Sequence, residues 1–321
     1  MKFLHISDIH FNPKDDGLAT RDLREKFSKY VQEKNITDID EVFFTGDFRH
    51  ALKQIDQPED EVAQNAVDFL RYIASCVGVT DDQNIHIVPG NHDLSREVNT
   101  DTNNKILKTI YKNYDRDDGR FSGYARKNES SLNYLRNRFG FFEKCTMLLK
   151  NQIWEGFKKE PIHRIVPSSN SSAYSILYLN TAIASGYDKF KHKLLIGTDD
   201  FEKALKQTSR DLVIVLAHNR LSHLISDEQD IIKNIIKDNK TPVLWLCGDA
   251  HKAQYDNSYN ITCITAGCMI QQNGTEASFN VGQFTKYTGL VIDAQGESIF
   301  DLLDLEKCSE EKKKLIDEYR D

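Results

Sequence analysis

Val88-Pro89-Gly90-Asn91-His92-Asp93 closes a short apolar run that begins at His86. An apolar run ending in Pro-Gly reads as a strand entering a sharp turn. Here the turn carries an amide, an imidazole and a carboxylate. The same pattern recurs along the chain. Phe3 to Ser7 leads to Asp8 and His10, and Glu41 to Thr45 leads to Gly46-Asp47. Leu212 to Leu216 leads to His218, and Val243 to Cys247 leads to Gly248-Asp249-Ala250-His251. Between these strands lie helical patterns at Arg21 to Glu33, Glu59 to Val77, Asp199 to Gln207 and Asp227 to Lys237. The second of them carries Val62, Ala66, Phe69, Leu70 and Ile73 on one face. Strands alternating with helices build an α/β sheet, and such sheets bind ligands outside the carboxyl ends of their strands. Five separate segments therefore deliver Asp, His or Asn to one sheet edge.

The residue types at that edge are metal ligands of a particular kind. Carboxylates, an amide oxygen and imidazoles, with no thiolate, suit hard to borderline divalent ions. Asp8, His10, Asp47, Asn91, His218, Asp249 and His251 are too many for one tetrahedral zinc and fit two ions. Two neighbouring ions hold a bridging hydroxide and clamp a phosphate for in-line attack.

Taken in order, Asp8-x-His10, Gly46-Asp47, Gly90-Asn91-His92-Asp93, His218 and Gly248-Asp249-x-His251 resemble the calcineurin-like metallophosphoesterase superfamily. One block alone is weak, and five in the family's order and spacing are specific. The resemblance implies a two-sheet α/β sandwich flanked by helices. It places one metal on Asp8, His10 and His251, the other on Asn91, His218 and Asp249, and makes Asp47 the bridge. It gives His92 to the leaving group as a catalytic residue and sets Asp93 behind the ligands. The fourth block departs from the family, whose pattern there is Gly-His-x-His, so the resemblance implies either a ligand swap at Asp249, the preferred reading, or a weakened second site. Manganese is the leading cofactor, with iron, magnesium or zinc as alternatives. A more local likeness joins Leu4-His5-Ile6-Ser7-Asp8-Ile9-His10 and Asp47-Phe48-Arg49-His50 to the nuclease subunit of double-strand-break repair complexes, where a His at the position of His50 lies near the substrate.

The region from Asn99 to Ile165 lacks the strand–helix rhythm and reads as a helical cap inserted into the core. The expected division is a core of 1–98 and 166–305, a basic cap of 99–165 and a charged terminal helix of 306–321. Short β-rich runs from Ile261 onward, including Gly289 to Ile292 and Ser298 to Leu302, suggest a second sheet packed on the first. From Lys105 to Arg164 there are 14 basic and 7 acidic residues, a surplus of +7 in a chain of formal charge −7. Aromatic residues interleave with these charges. Basic charge with aromatics suits a phosphate backbone and stacked bases. Arg126, Lys127, Arg136 and Arg138 are the candidate substrate contacts, although most of the aromatics read as the insertion's own core.

The remaining features bound the answer. No apolar run approaches the length of a membrane span, and the N-terminal run is too short for a signal-peptide core, so a cytoplasmic protein without membrane contact is expected. Six scattered cysteines without a Cys-x-x-Cys pair read as reduced thiols. His5 and His86 sit inside strands and read as structural, and His223 lies within reach of the mouth of the site. Asn180 ends a strand on the same edge and reads as a core or supporting amide. The charged tail either docks a protein partner or is a solvated helix, the second being preferred. The expected function is metal-dependent hydrolysis of a phosphodiester in a nucleotide or nucleic acid, with a DNA nuclease preferred. A small-molecule phosphodiesterase acting on cyclic nucleotides is the alternative, and an inactive scaffold for a partner is the reading from a different class.

Overall fold

The computed structural model describes residues 1–11, 18–49, 59–95, 100–114, 121–154, 163–167, 174–186, 193–208, 212–240, 242–258, 261–269, 278–285 and 289–295. His50, the expected strand at Ser298 to Leu302 and the tail 306–321 lie outside these residues.

Strands β1 (Lys2–Ile6), β2 (Glu41–Phe44) and β3 (Ile85–Ile87) run parallel, and β2 and β3 are buried at every position. Burial on both faces explains their near-continuous apolar sequences. One face is covered by helices and the other by a second sheet. Strands β10 (Phe279–Thr285) and β11 (Gly289–Gln295) extend this first sheet antiparallel on the far side of β1, in the order β11-β10-β1-β2-β3. The second sheet holds β4 (His163–Pro167), β5 (Tyr174–Leu179), β6 (Leu212–Leu216), β7 (Val243–Cys247), β8 (Gln254–Ser258) and β9 (Ile261–Thr265). Its order is β4-β5-β6-β7-β9-β8, with four parallel inner strands and an antiparallel strand at each edge.

The sheets therefore divide differently from the expectation. The strand at Ile261 completes the sheet already begun by β5, β6 and β7, whereas β10 and β11 return to β1. Among the described residues, the strands from Ile261 onward join these two sheets and form none of their own.

Helix α1 (Leu18–Glu33) and α2 (Glu59–Cys76) flank the first sheet, with Val62, Ala66, Phe69, Leu70 and Ile73 of α2 all buried. Helices α3 (Thr100–Asn113), α4 (Phe121–Lys127), α5 (Glu129–Arg136) and α6 (Gly140–Lys150) occupy the insertion. Helix α6 lies along α2, so this part of the insertion joins the core's helical layer. Its Phe142 ring packs against Phe48 and Trp154, and Phe121, Phe139 and Phe141 are also buried. These aromatics are core, not stacking platforms. Helices α7 (Thr198–Lys206) and α8 (Ser226–Asn239) pair on the second sheet's side. No described helix is long and apolar enough to cross a membrane.

A buried polar chain fixes how the two sheets face each other. Tyr174 of β5 donates its hydroxyl to Glu41 Oε1 of β2 at 2.9 Å, and Glu41 Oε2 meets His86 Nε2 of β3 at 2.8 Å. The His86 ring is bonded through Nδ1 to the Tyr178 hydroxyl, back on β5. Burial leads the forces holding the His86 pKa below its ordinary value, against the pull of Glu41. His86 is thus structural. It lies on the inner faces of the sheets, away from the ligand-bearing edge.

Candidate metal centre

The loops that leave β1, β2 and β7 share an uncommon backbone. Asp8 (φ 54°), His10 (φ 46°), Asp47 (φ 60°), Asp249 (φ 66°) and His251 (φ 53°) are all left-handed. Such residues each cost about 1–3 kcal/mol and persist only where the surroundings overdetermine them. Two loops in different sheets, Asp8-Ile9-His10 and Asp249-Ala250-His251, repeat one pattern: Asp and His left-handed on either side of one residue. Glycine makes the close approach possible. A Cβ on Gly90 would lie 2.0 Å from Asp47 Oδ1, and one on Gly248 would lie 2.4 Å from Asp8 Oδ2.

Each carboxylate has one oxygen tied back and the other free to face the cluster. Asp8 Oδ2 accepts the backbone N–H of Asp249 at 3.2 Å. Asp8 Oδ1 is buried, accepts no hydrogen bond among the described residues, and stands 3.2 Å from His251 Nε2 and 3.5 Å from His10 Nε2. Asp47 Oδ1 accepts the His92 backbone N–H at 2.8 Å. Asp47 Oδ2 faces both sides, 3.8 Å from His10 Nε2 and 3.3 Å from His218 Nε2.

The imidazoles are arranged in the same way. His218 donates Nδ1–H to the Thr45 carbonyl at 2.7 Å, which turns its Nε2 toward Asn91 Oδ1 at 2.8 Å and Asp249 Oδ1 at 3.7 Å. His10 Nε2 and His251 Nε2 are 2.9 Å apart. Two imidazole nitrogens and an unbonded carboxylate oxygen converging in a buried space are chelating geometry. One group of donors is Asp8, His10, Asp47 and His251, whose ligand atoms all lie within 4.8 Å of one another. The other is Asp47, Asn91, His218 and Asp249. Asp47 belongs to both. The residues present therefore fit two divalent cations, with three carboxylates to balance their charge.

The electrostatics report the same crowding. Burial opposes ionisation of Asp8, yet His10 and His251 outweigh it and hold the carboxyl far below its usual range. Burial also opposes a charge on His218, but Asp47, Asp8 and Asp249 hold its pKa well above the ordinary value. Asp249 is lowered to about 2: burial resists, and its hydrogen bond to His223 and the charge of His218 prevail.

The proposed catalytic residues are placed in different ways. His92 is partly exposed, and its ring stands edge-on to His10 with centroids 4.8 Å apart, beside the donors and not among them. Asp93 is fully buried beneath the loops. It accepts N–H groups from Asp47 (3.0 Å), Phe48 (2.9 Å) and Gly90 (2.8 Å). Burial, followed by the Asp47 charge, pushes its carboxyl up to about 7. Asp93 builds the site without facing it. His50 falls outside the described residues.

The four proposed substrate cations separate. Arg138 is buried, and its guanidinium donates to the carbonyls of Leu135, Ile183 and Ser185. Burial lowers its pKa to about 10. It ties the insertion to the loop after β5 and is not available to a phosphate, which corrects its reading as a substrate contact. Arg126 pairs with Asp199 at 2.9 Å and Asp200 at 3.6 Å at the start of α7. Lys127 is exposed, and Arg136 is half-buried and bonded to Asn133. Asn180 is fully buried at the end of β5, and neither amide atom has a hydrogen-bond partner among the described residues. His223 carries no motif, yet its Nδ1 lies 3.0 Å from Asp249 Oδ2. Only its spacing from His218 hinted at this.

Comparison with known proteins agrees with the geometry. The chain is 26% identical over 276 residues to the uncharacterized metallophosphoesterase-like protein YydB of Bacillus subtilis (strain 168). That match covers 83% of this chain and 51% of the relative, so the chain spans about half the length of the curated relative it matches. A dimetal phosphatase from Danio rerio has a similar fold, with a TM-score of 0.52, 12% identity, and coverage of 93% of this chain and 96% of that one. Residues 1–253 match the family model for calcineurin-like phosphoesterases, and the chain belongs to that family of metal-dependent phosphoesterases.

Proposed function

We propose that this chain hydrolyses a phosphodiester bond in a nucleotide or nucleic acid, with DNA preferred, using two divalent metal ions, manganese first among them. The observation that carries this reading is Asp47 Oδ2, which faces the imidazole donors of both ligand groups. When bound, two dications activate water as the nucleophile and neutralise charge on the phosphate. Asp8, His10 and His251 would hold one ion, and Asn91, His218 and Asp249 the other. The chain's own contribution is to hold these donors on strained, glycine-backed loops so that little reorganises on binding. His92, beside His10 and partly open to solvent, is placed to give a proton to the leaving oxygen.

The preference for nucleic acid rests on the basic surplus of the insertion, whose residues join the active edge directly: Ser95 donates its backbone N–H to the Arg138 carbonyl at 2.7 Å, two residues after Asp93. The narrower likeness to a break-repair nuclease rests on Leu4 to His10 and on His50. The internal engagement of Arg138 and Arg126 favours a second reading, a phosphodiesterase acting on a small substrate such as a cyclic nucleotide. Hydrolysis with Mn²⁺ should be measured side by side on bis-p-nitrophenyl phosphate, cyclic nucleotides, and single- and double-stranded DNA. Turnover of DNA well above that of the cyclic nucleotides supports the first reading. Turnover of cyclic nucleotides alone supports the second, and no metal-dependent turnover of any diester contradicts both.

A further inference from the structure

Asp8 and Asp47 each have one carboxylate oxygen fixed by a backbone N–H, which aims the other at the cluster. Asp249 is anchored through side chains instead. Its Oδ2 faces His223 Nδ1 at 3.0 Å, with Asn219 as a further hydrogen-bond partner, and its Oδ1 faces His218 Nε2 at 3.7 Å. An aspartate whose carboxylate turns freely is a poor ligand, because the wrong oxygen, or both, can face the ion. We propose that His223 is the positioning residue of the second metal site: its Nδ1–H holds the Asp249 carboxylate so that Oδ1 points at the ion shared with Asn91 and His218. The inference rests on the two-metal reading above.

His223 is itself held from behind. It ends the short turn Leu221–His223, and its carbonyl accepts the Leu194 N–H at 2.9 Å. Ile225 returns a hydrogen bond to the Leu194 carbonyl at 3.0 Å. One residue earlier, the Lys193 carbonyl accepts the Tyr111 hydroxyl of α3 at 2.6 Å. The ring is thus braced on a strap that reaches the insertion. The His223 and Asp249 side chains are about one-fifth exposed, at 20% and 21%. A contact this shielded from solvent holds the carboxylate in one orientation.

Calorimetric titration of the metal-free full chain with Mn²⁺ tests this, together with thermal melting of each metal-free protein. Wild type should show two binding events. His223→Ala should weaken one of them by about 10–100-fold and leave the other unchanged, with a cooperative metal-free melt showing that the variant is folded. His223→Asn, which keeps an N–H near the position of Nδ1, should recover most of the loss, and Asp249→Ala should abolish the same event. Wild-type affinities at both sites in His223→Ala would overturn the proposal, as would His223→Asn binding no better than His223→Ala. Two events in Asp249→Ala with one in His223→Ala would make His223 the ligand and overturn its positioning role. A wild-type chain that binds no Mn²⁺ would overturn the two-metal reading itself, a result visible before any variant is compared.

Discussion

Asp93 grips Asp47 through the backbone: its Oδ2 accepts the Asp47 N–H at 3.0 Å, deep in the protein. The same carboxylate takes the N–H groups of Phe48 and Gly90, so one side chain ties the loop after β2 to the loop after β3. Replacing Asp93 by Ala leaves these donors without their acceptor, at about 1–3 kcal/mol for each buried group left unpaired. Asp93→Ala should lower the urea midpoint of the metal-free protein and reduce metal binding at both sites. A variant as stable as wild type that loses only turnover would instead make Asp93 a group acting on the substrate.

His92 should behave oppositely. Its ring stands beside His10 without joining the donors. His92→Ala should keep both metals and the wild-type melting temperature, while kcat falls by about 10²–10⁴-fold, the usual worth of a positioned proton donor. Unchanged kcat would remove His92 from the reaction, and loss of a metal would make it a ligand.

Arg138 predicts a loss of stability rather than of binding. Its guanidinium serves backbone carbonyls on either side of the junction between the insertion and the loop after β5. Hydrogen bonds from a charged group contribute about 1.5–3 kcal/mol, so Arg138→Ala should cost at least about 2 kcal/mol in equilibrium denaturation. Lys127→Glu, at an exposed position, should leave stability unchanged and weaken DNA binding at low salt. Equal stability in the two variants would contradict the burial argument for Arg138.

The core also makes stability depend on pH. His5 is fully buried between Thr45, which meets its Nε2 at 3.0 Å, and Asn280, which meets Nδ1 at 3.1 Å. Burial lowers its pKa from 6.5 to about 3, with partial opposition from Asp8. Because the folded value lies below the unfolded one, the unfolded chain takes up the proton first as pH falls. Stability is therefore unaffected by His5 above pH 6.5 and drops between 6.5 and about 3. The loss should reach about 2 kcal/mol at pH 5. The difference in unfolding free energy between pH 7 and pH 5 should shrink by that amount in His5→Gln. An unchanged pH dependence would show that His5 is protonated in the native state.

How much of this was legible in sequence depended on what each segment packs against. Strands β6 and β7 are covered on both faces, so Leu212–Leu216 and Val243–Cys247 are unbroken apolar runs that can be read directly. The edge strands gave weaker signals. Among the described residues, Gln254–Ser258 is polar and pairs only with β9, and His163–Pro167, pairing only with β5, carries His163 and Arg164 and blended into the basic insertion. The candidate ligands stood out because each follows a parallel strand, although those strands belong to two sheets and not to the single sheet edge that the sequence suggests. Charge was a poorer guide. Arg138 and Lys127 look alike in a sequence, yet one is sealed against carbonyls and the other faces solvent. The partnership of His223 with Asp249 depends on a strap from Leu194, and no local pattern encodes that.

The most direct test of the two-metal site is anomalous diffraction at the manganese edge from crystals soaked in Mn²⁺. Two peaks are predicted: one among Asp8, His10 and His251, the other among Asn91, His218 and Asp249, both in contact with Asp47. A single peak, or a pair of which one does not touch Asp47, would contradict the account.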